Sequence, residues 1–183
     1  SGIADAKQID RDVLAPGGGH GYSTFFSYYI LSARAMAGKT AEALDDLREY
    51  YGAMLRLGAT TFWEDFNLDW IDEAGGWDGI AGIDDFVPEG KKDIHGDYGA
   101  HCYVGLRHSL CHGWSSGPAP FLLHHVLGVK VLEAGCKKLE VKPNLCGLDY
   151  VKGTYPTPYG PVSVYADKDG VKIDAPKEIE IVR

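Results

Sequence analysis

The apolar residues of this chain change their period near Gly135, and that change constrains the fold more than any other feature. Before it, apolar positions recur at helical spacing; after it, they alternate. The stretch 22–36 sets Phe25, Tyr29, Ser32 and Met36 on one stripe, with Phe26, Ile30 and Ala33 alongside, and Gly38 stops it. A second helix is expected over 41–57, with Thr40 as its N-cap, Leu44, Leu47, Tyr51, Met54 and Leu55 on its apolar face, and Gly58 past its end. The tight Ala37-Gly38-Lys39 link makes the two an αα-hairpin. A third helix is expected over 118–127, closed by Gly128. The segments 138–142, 149–154, 162–166, 171–173 and 178–182 read as strands, with Asp169-Gly170 as a hairpin turn.

The order is therefore helices, an irregular stretch over 59–110, a helix, then an antiparallel all-β tail. The fold class is α+β, with a helical region over 1–134 and a β domain over 135–183. The irregular stretch is too long to be an idle connection, and its aromatics argue against disorder. Three amphipathic helices carry more apolar surface than one hairpin can cover. The chain is expected either to self-associate or to belong with further helices. Ser1-Gly2-Ile3 carries neither an initiator Met nor a signal-peptide core, which suits a piece of a longer polypeptide.

Charge narrows the partners. The formal net charge is -8 and the Lys and Arg residues form no cluster, so neither nucleic acid nor an anionic membrane is an expected partner. Aromatics make up 11% of the chain, many beside Gly, Asp or His, a composition compatible with stacking on sugars. Cys102, Cys111, Cys136 and Cys146 are too few for a disulfide scaffold and read as buried free thiols.

Three constellations invite chemistry. Gly17-Gly18-Gly19-His20-Gly21 lacks the Gly-Lys-Ser/Thr ending of a phosphate loop and no strand precedes it; a flexible lead into the first helix is the expected role. His95, His101, Cys102, His108, Cys111 and His112 crowd one stretch, but their gaps form no paired ligand knuckles, and His124-His125 lies on a helix with one of the two side chains inward, packing in the core; no metal and no cofactor are expected. Glu64 stands apart. It lies just past a helix end in Gly58-Ala59-Thr60-Thr61-Phe62-Trp63-Glu64-Asp65, beside aromatics whose desolvating effect suits a carboxyl doing acid/base work. Asp65, Asp69, Asp93 and Asp97 could each bond a sugar hydroxyl or cap a loop turn.

These residues carry a resemblance. The run from Gly58 to Glu64 resembles the G-A-T-T-x-W-E signature of glycoside hydrolase family 78, the α-L-rhamnosidases. Downstream, His108-Ser109-Leu110-Cys111-His112-Gly113-Trp114 resembles that family's S-x-N-H segment, with Cys111 in place of Asn. Gly128-Val129, Leu139-Glu140-Val141-Lys142-Pro143 and Thr154-Tyr155-Pro156-Thr157-Pro158-Tyr159-Gly160 are similar to later family motifs, in family order. The resemblance implies the last helices of a catalytic (α/α)6 toroid followed by a C-terminal β-sandwich. It also implies inverting hydrolysis, with two carboxyl groups roughly 6.5–9.5 Å apart.

By motif position Glu64 would be the general base and His112 a contact to rhamnose hydroxyls, with Trp63, Trp114 and Asp65 as further substrate contacts. The implied partners are a rhamnose-containing glycoside or polysaccharide and the upstream part of the same polypeptide. The family's acidic motif, which carries the general acid, has no counterpart between Ser1 and Thr60, so the chain alone is expected to be weak or inactive. Two alternatives stand beside this one: a non-catalytic carbohydrate-binding module, and a toroid glycosidase acting on a different sugar.

Overall fold

Glycine sets where the helices stop. In the computed structural model, which describes residues 3–83, 87, 89–94, 97–98 and 109–183, helices α2 (Ser27–Met36) and α3 (Thr40–Arg56) both end on a glycine with positive φ. Past α2, Gly38 at φ 84° lets its own N–H bond the Ala35 carbonyl and the Lys39 N–H reach back to that of Arg34. Gly58 at φ 93° repeats the device after α3, with bonds from Gly58 to Leu55 and from Ala59 to Met54. The chain thus leaves α3 in a defined direction, and the Glu64 segment starts there.

The chain divides into two compact units, Ser1–Pro118 and Ala119–Arg183. The first opens with the short helix α1 (Ala6–Ile9), capped by the Asp5 side chain, running into a π turn over Asp10–Leu14 and a 3-10 turn over Gly18–Gly21. The hairpin of α2 and α3 follows, then α4 (Asp69–Glu73) and a parallel pair of two-residue strands, β1 (Ile80–Ala81) and β2 (Lys92–Asp93). The unit's interior is aromatic: Tyr50, Tyr51, Trp63, Phe66 and Trp70 are all buried.

Helix α2 departs from the expected stripe. It begins at Ser27, after a turn that Ser23 Oγ supports by accepting from the Phe26 N–H. Its buried face is Ser27, Leu31 and Arg34, whereas Phe25, Phe26, Tyr29 and Met36 are exposed. Polar partners decide this. Ser27 Oγ bonds the Thr24 carbonyl and lies 2.6 Å from Tyr51 Oη, while the Arg34 guanidinium meets Asp10 at 3.0 Å and also Asp46. Once paired, these groups can be buried, and the apolar stripe is left on the outside of the unit. Thr40 is the first residue of α3 rather than its cap, and Lys39 before it makes no side-chain cap bond.

The second unit begins within helix α5 (Pro118–Phe121), which widens into a π turn over Leu122–Val126 before Gly128 ends it. Six strands follow: β3 (Val129–Val131), β4 (Lys138–Val141), β5 (Tyr150–Tyr155), β6 (Val162–Asp167), β7 (Gly170–Asp174) and β8 (Glu180–Val182). Strands β5, β6 and β7 form an antiparallel meander, and Val162, Val164 and Ala166 alternate inward along β6. The β6–β7 turn is Lys168-Asp169, because Gly170 already pairs with Asp167. Strand β4 lies between β3, antiparallel, and β8, parallel. The tail is therefore not wholly antiparallel, since β8 returns alongside β4 in the same direction. The chain is a mixed helix-and-sheet protein, consistent with α+β.

Of the four cysteines, Cys111 is exposed and Cys136 and Cys146 are half-buried, so the expected burial does not hold for them. Cys102, His95, His101 and His108 lie outside the described residues.

Candidate active site around Glu64

Residues 57–68, between α3 and α4, form neither helix nor strand, so their backbone groups need other partners. Those partners come from the segment 109–116 and from side chains on the hairpin. The Glu64 N–H donates to the Ser109 carbonyl at 2.8 Å, and the His112 N–H donates to the Phe62 carbonyl at 2.8 Å. Thr61 Oγ1 donates to the Leu110 carbonyl, and Tyr50 Oη to that of Phe66. Tyr51 Oη donates to the Ser115 carbonyl at 3.0 Å. Tyr50 and Tyr51, neighbours on α3, thus hold both segments, and burial pushes the Tyr51 phenol up to about 12 and Tyr50 well above its ordinary value.

Glu64 sits at the centre of this weave. The residue is 4% exposed, and its Oε2 accepts the Ser109 N–H at 2.7 Å. His112 Nδ1 lies 4.0 Å from the same oxygen, with its side chain partly open to solvent. The Trp114 ring stacks at a tilt against His112, centroids 4.2 Å apart, and its Nε1–H donates to the Glu64 carbonyl at 2.7 Å. Thr24 Oγ1 donates to that same carbonyl. The result is a carboxylate held at a fixed place beside an imidazole and an indole, with Trp114 46% exposed at its edge.

The other expected contacts take different positions. Trp63 is 1% exposed and packs edge-on against Phe66 inside the unit. Asp65 is half-buried, and its charge contributes to the raised pKa of Tyr50 after burial and Tyr51. Asp97 accepts the Asp93 N–H at 2.7 Å and caps that turn. Asp69 pairs with His20 Nδ1 at 2.7 Å, and this hydrogen bond raises the His20 pKa. A cleft of about 290 Å³ borders Thr60, Thr61 and Phe62, and one of about 490 Å³ borders His20, Glu49 and Asp72; Glu64 lines neither.

The glycine-rich loop holds a carboxylate of its own. Gly19 N–H donates to Glu49 Oε2 at 2.9 Å, so the amide that could face an anion already faces a side chain. His20, Asp69 and Asp72 bring three possible ligand atoms within 4.8 Å of one another at the surface. The His20–Asp69 hydrogen bond accounts for the closeness of that pair, and Asp72 follows Asp69 by three residues on α4.

No family model matches the chain, and no curated protein sequence matches it. Solved structures do, and their class is glycoside hydrolase. The chain is similar to the family 78 rhamnosidase of Bacillus sp. GL1, with a TM-score of 0.63 and 29% identity over 87% of this chain and 14% of that one. It is also similar to the α-L-rhamnosidase of Dictyoglomus thermophilum, with a TM-score of 0.58 and 20% identity, a likeness of fold alone, over 86% of this chain and 15% of that one. The chain thus spans about one seventh of the length of these enzymes. The family resemblance carried by the Gly58–Glu64 and Ser109–Trp114 segments stands as a likeness of structure to family 78 rhamnosidases.

Proposed function

We propose that this chain is part of an inverting glycoside hydrolase that releases terminal α-L-rhamnosyl residues, with Glu64 as general base. The observation that carries the reading is the buried Glu64 carboxylate, fixed by the Ser109 amide and 4.0 Å from His112 Nδ1, in a chain similar to a family 78 rhamnosidase. The α2–α3 hairpin would then be one of the hairpins of an (α/α)6 toroid, and the second unit a sandwich-like β domain after it.

In this reading Glu64 takes a proton from a water molecule as the water oxygen bonds to the anomeric carbon. The bond from that carbon to the glycosidic oxygen breaks, and a general acid from another part of the polypeptide protonates the departing oxygen. Attack from the face opposite the leaving group inverts the configuration. His112 offers its ring to a sugar hydroxyl, and Trp114 offers the exposed part of its ring face. Asp65 stands at the margin. Trp63, being enclosed, supports the Glu64 loop from within. The chain by itself turns over little, because the acid lies elsewhere.

The test is a panel of nitrophenyl glycosides (α-L-rhamnoside, α-L-fucoside and β-D-glucuronide) given to the full polypeptide that carries this chain. The α-L-rhamnoside should be hydrolysed fastest, with the β anomer of the free sugar appearing first by proton NMR. Release of the α anomer first would contradict a water-activating role for Glu64. Binding of rhamnose without hydrolysis of any member would favour a carbohydrate-binding module.

A further inference from the structure

The Glu64 main-chain carbonyl accepts two side-chain donors that arrive from different parts of the first unit. Thr24 Oγ1 comes from the turn before α2, and Trp114 Nε1 from the 3-10 turn Gly113–Ser115 at 2.7 Å. A carbonyl oxygen has two lone pairs, so both are used. Thr24 is 2% exposed, which makes its hydroxyl a buried group with a defined acceptor. The loop that carries Glu64 belongs to no strand, and beside its backbone bonds to Ser109 and His112 these two donors fix the carbonyl of the residue from which the side chain projects. The Ser109 N–H then fixes the carboxylate.

We infer that Thr24 and Trp114 are positioning residues for Glu64, holding its carboxylate against the Ser109 amide and beside His112. The inference rests on reading Glu64 as the base, and it gives the indole two faces of work. Its N–H serves Glu64, and its ring sets the His112 imidazole at 4.2 Å. Phe25 backs the same indole at 5.7 Å, so Trp114 is gripped from the α2 side as well.

Three variants test it. Thr24→Val keeps the shape and deletes the hydroxyl, Thr24→Ser keeps the hydroxyl, and Trp114→Phe keeps an aromatic ring and deletes the N–H. In this chain, hydrogen exchange at the Ser109 amide should quicken about tenfold in Thr24→Val and Trp114→Phe, and return to the parent rate in Thr24→Ser. Amides of the β5–β6–β7 meander should not move. In the full polypeptide, kcat on a nitrophenyl α-L-rhamnoside should fall about tenfold for Thr24→Val with KM unchanged, and Thr24→Ser should restore it; Trp114→Phe, whose ring also faces the sugar, should lower kcat and raise KM together.

Parent-like Ser109 exchange in Thr24→Val would overturn the inference. So would faster exchange with an unchanged kcat, since the bond would then serve stability alone. If the parent polypeptide hydrolyses no glycoside, the reading of Glu64 as a base fails instead, and the exchange rates still decide whether the clamp exists.

Discussion

A single side chain decides whether the His20–Asp69 pair adds anything to stability. The hydrogen bond to Asp69 raises the His20 pKa above its ordinary 6.5. A raised folded-state value means that the stabilisation is fully present below pH 6.5 and is lost as pH climbs through the raised value. Both partners are largely solvent-exposed, so screening keeps the effect below about 1 kcal/mol. His20→Gln should therefore melt slightly below the parent at about pH 5 and coincide with it at about pH 9. Equal melting temperatures at both ends would show that the pair is energetically idle. At this same scale a signature segment and a histidine at motif spacing single out Glu64 and His112, whose side chains the fold brings within 4.0 Å of each other. Thr24 and Ser109 were not legible. They lie 40 and 45 positions from Glu64 in sequence, and a loop without periodicity carries no sign of which residues its backbone will meet.

At the scale of elements, α2 is held by charge as much as by apolar contact. Arg34 is 5% exposed and ties α2 to Asp10 in the N-terminal π turn and to Asp46 on α3, and Tyr22 Oη adds a bond to Asp46 at 2.7 Å. Arg34→Ala would leave the Asp10 and Asp46 carboxylates sequestered without their cation, at a cost of about 3–5 kcal/mol in urea denaturation. A loss below about 1 kcal/mol would mean that water reaches the cluster. This cluster also explains why the apolar stripe misled. Helical spacing counts apolar residues, and here a serine and an arginine occupy the inward positions because partners wait for them. Strand limits came within a few residues of the alternating pattern, since alternation is local. The parallel pairing of β8 with β4 was hidden, because pairing partners some 40 residues apart leave no local mark.

Gly128 belongs to the same scale. It stands at φ 77° with the Lys142 carbonyl 1.9 Å from where a Cβ would sit, and its own carbonyl accepts the Lys142 N–H at 2.9 Å. Gly128→Ala forces the β4 end away from the helix end, and it should cost roughly 3 kcal/mol or more by thermal or chemical unfolding. A neutral substitution would show that this approach is not kept in solution.

At the scale of the whole molecule, the aromatic surface formed by the start of α2 and the turn before it matters most. Phe26 is 58% exposed and Tyr29 57%, and with Phe25 they form a run of touching rings. A contiguous aromatic surface of this kind promotes association in water. The isolated chain should sediment with a concentration-dependent mass, and the double variant Phe26→Lys, Tyr29→Lys should remain monomeric. A parent that stays monomeric at high concentration would contradict this.

The proposed chemistry turns on one carboxylate. Glu64→Gln keeps the shape and the bond from Ser109 while removing the base, so the full polypeptide bearing it should lose about 10²–10⁴-fold in kcat on an aryl α-L-rhamnoside while binding rhamnose as tightly as the parent. A variant that retains the parent's kcat would contradict the claim.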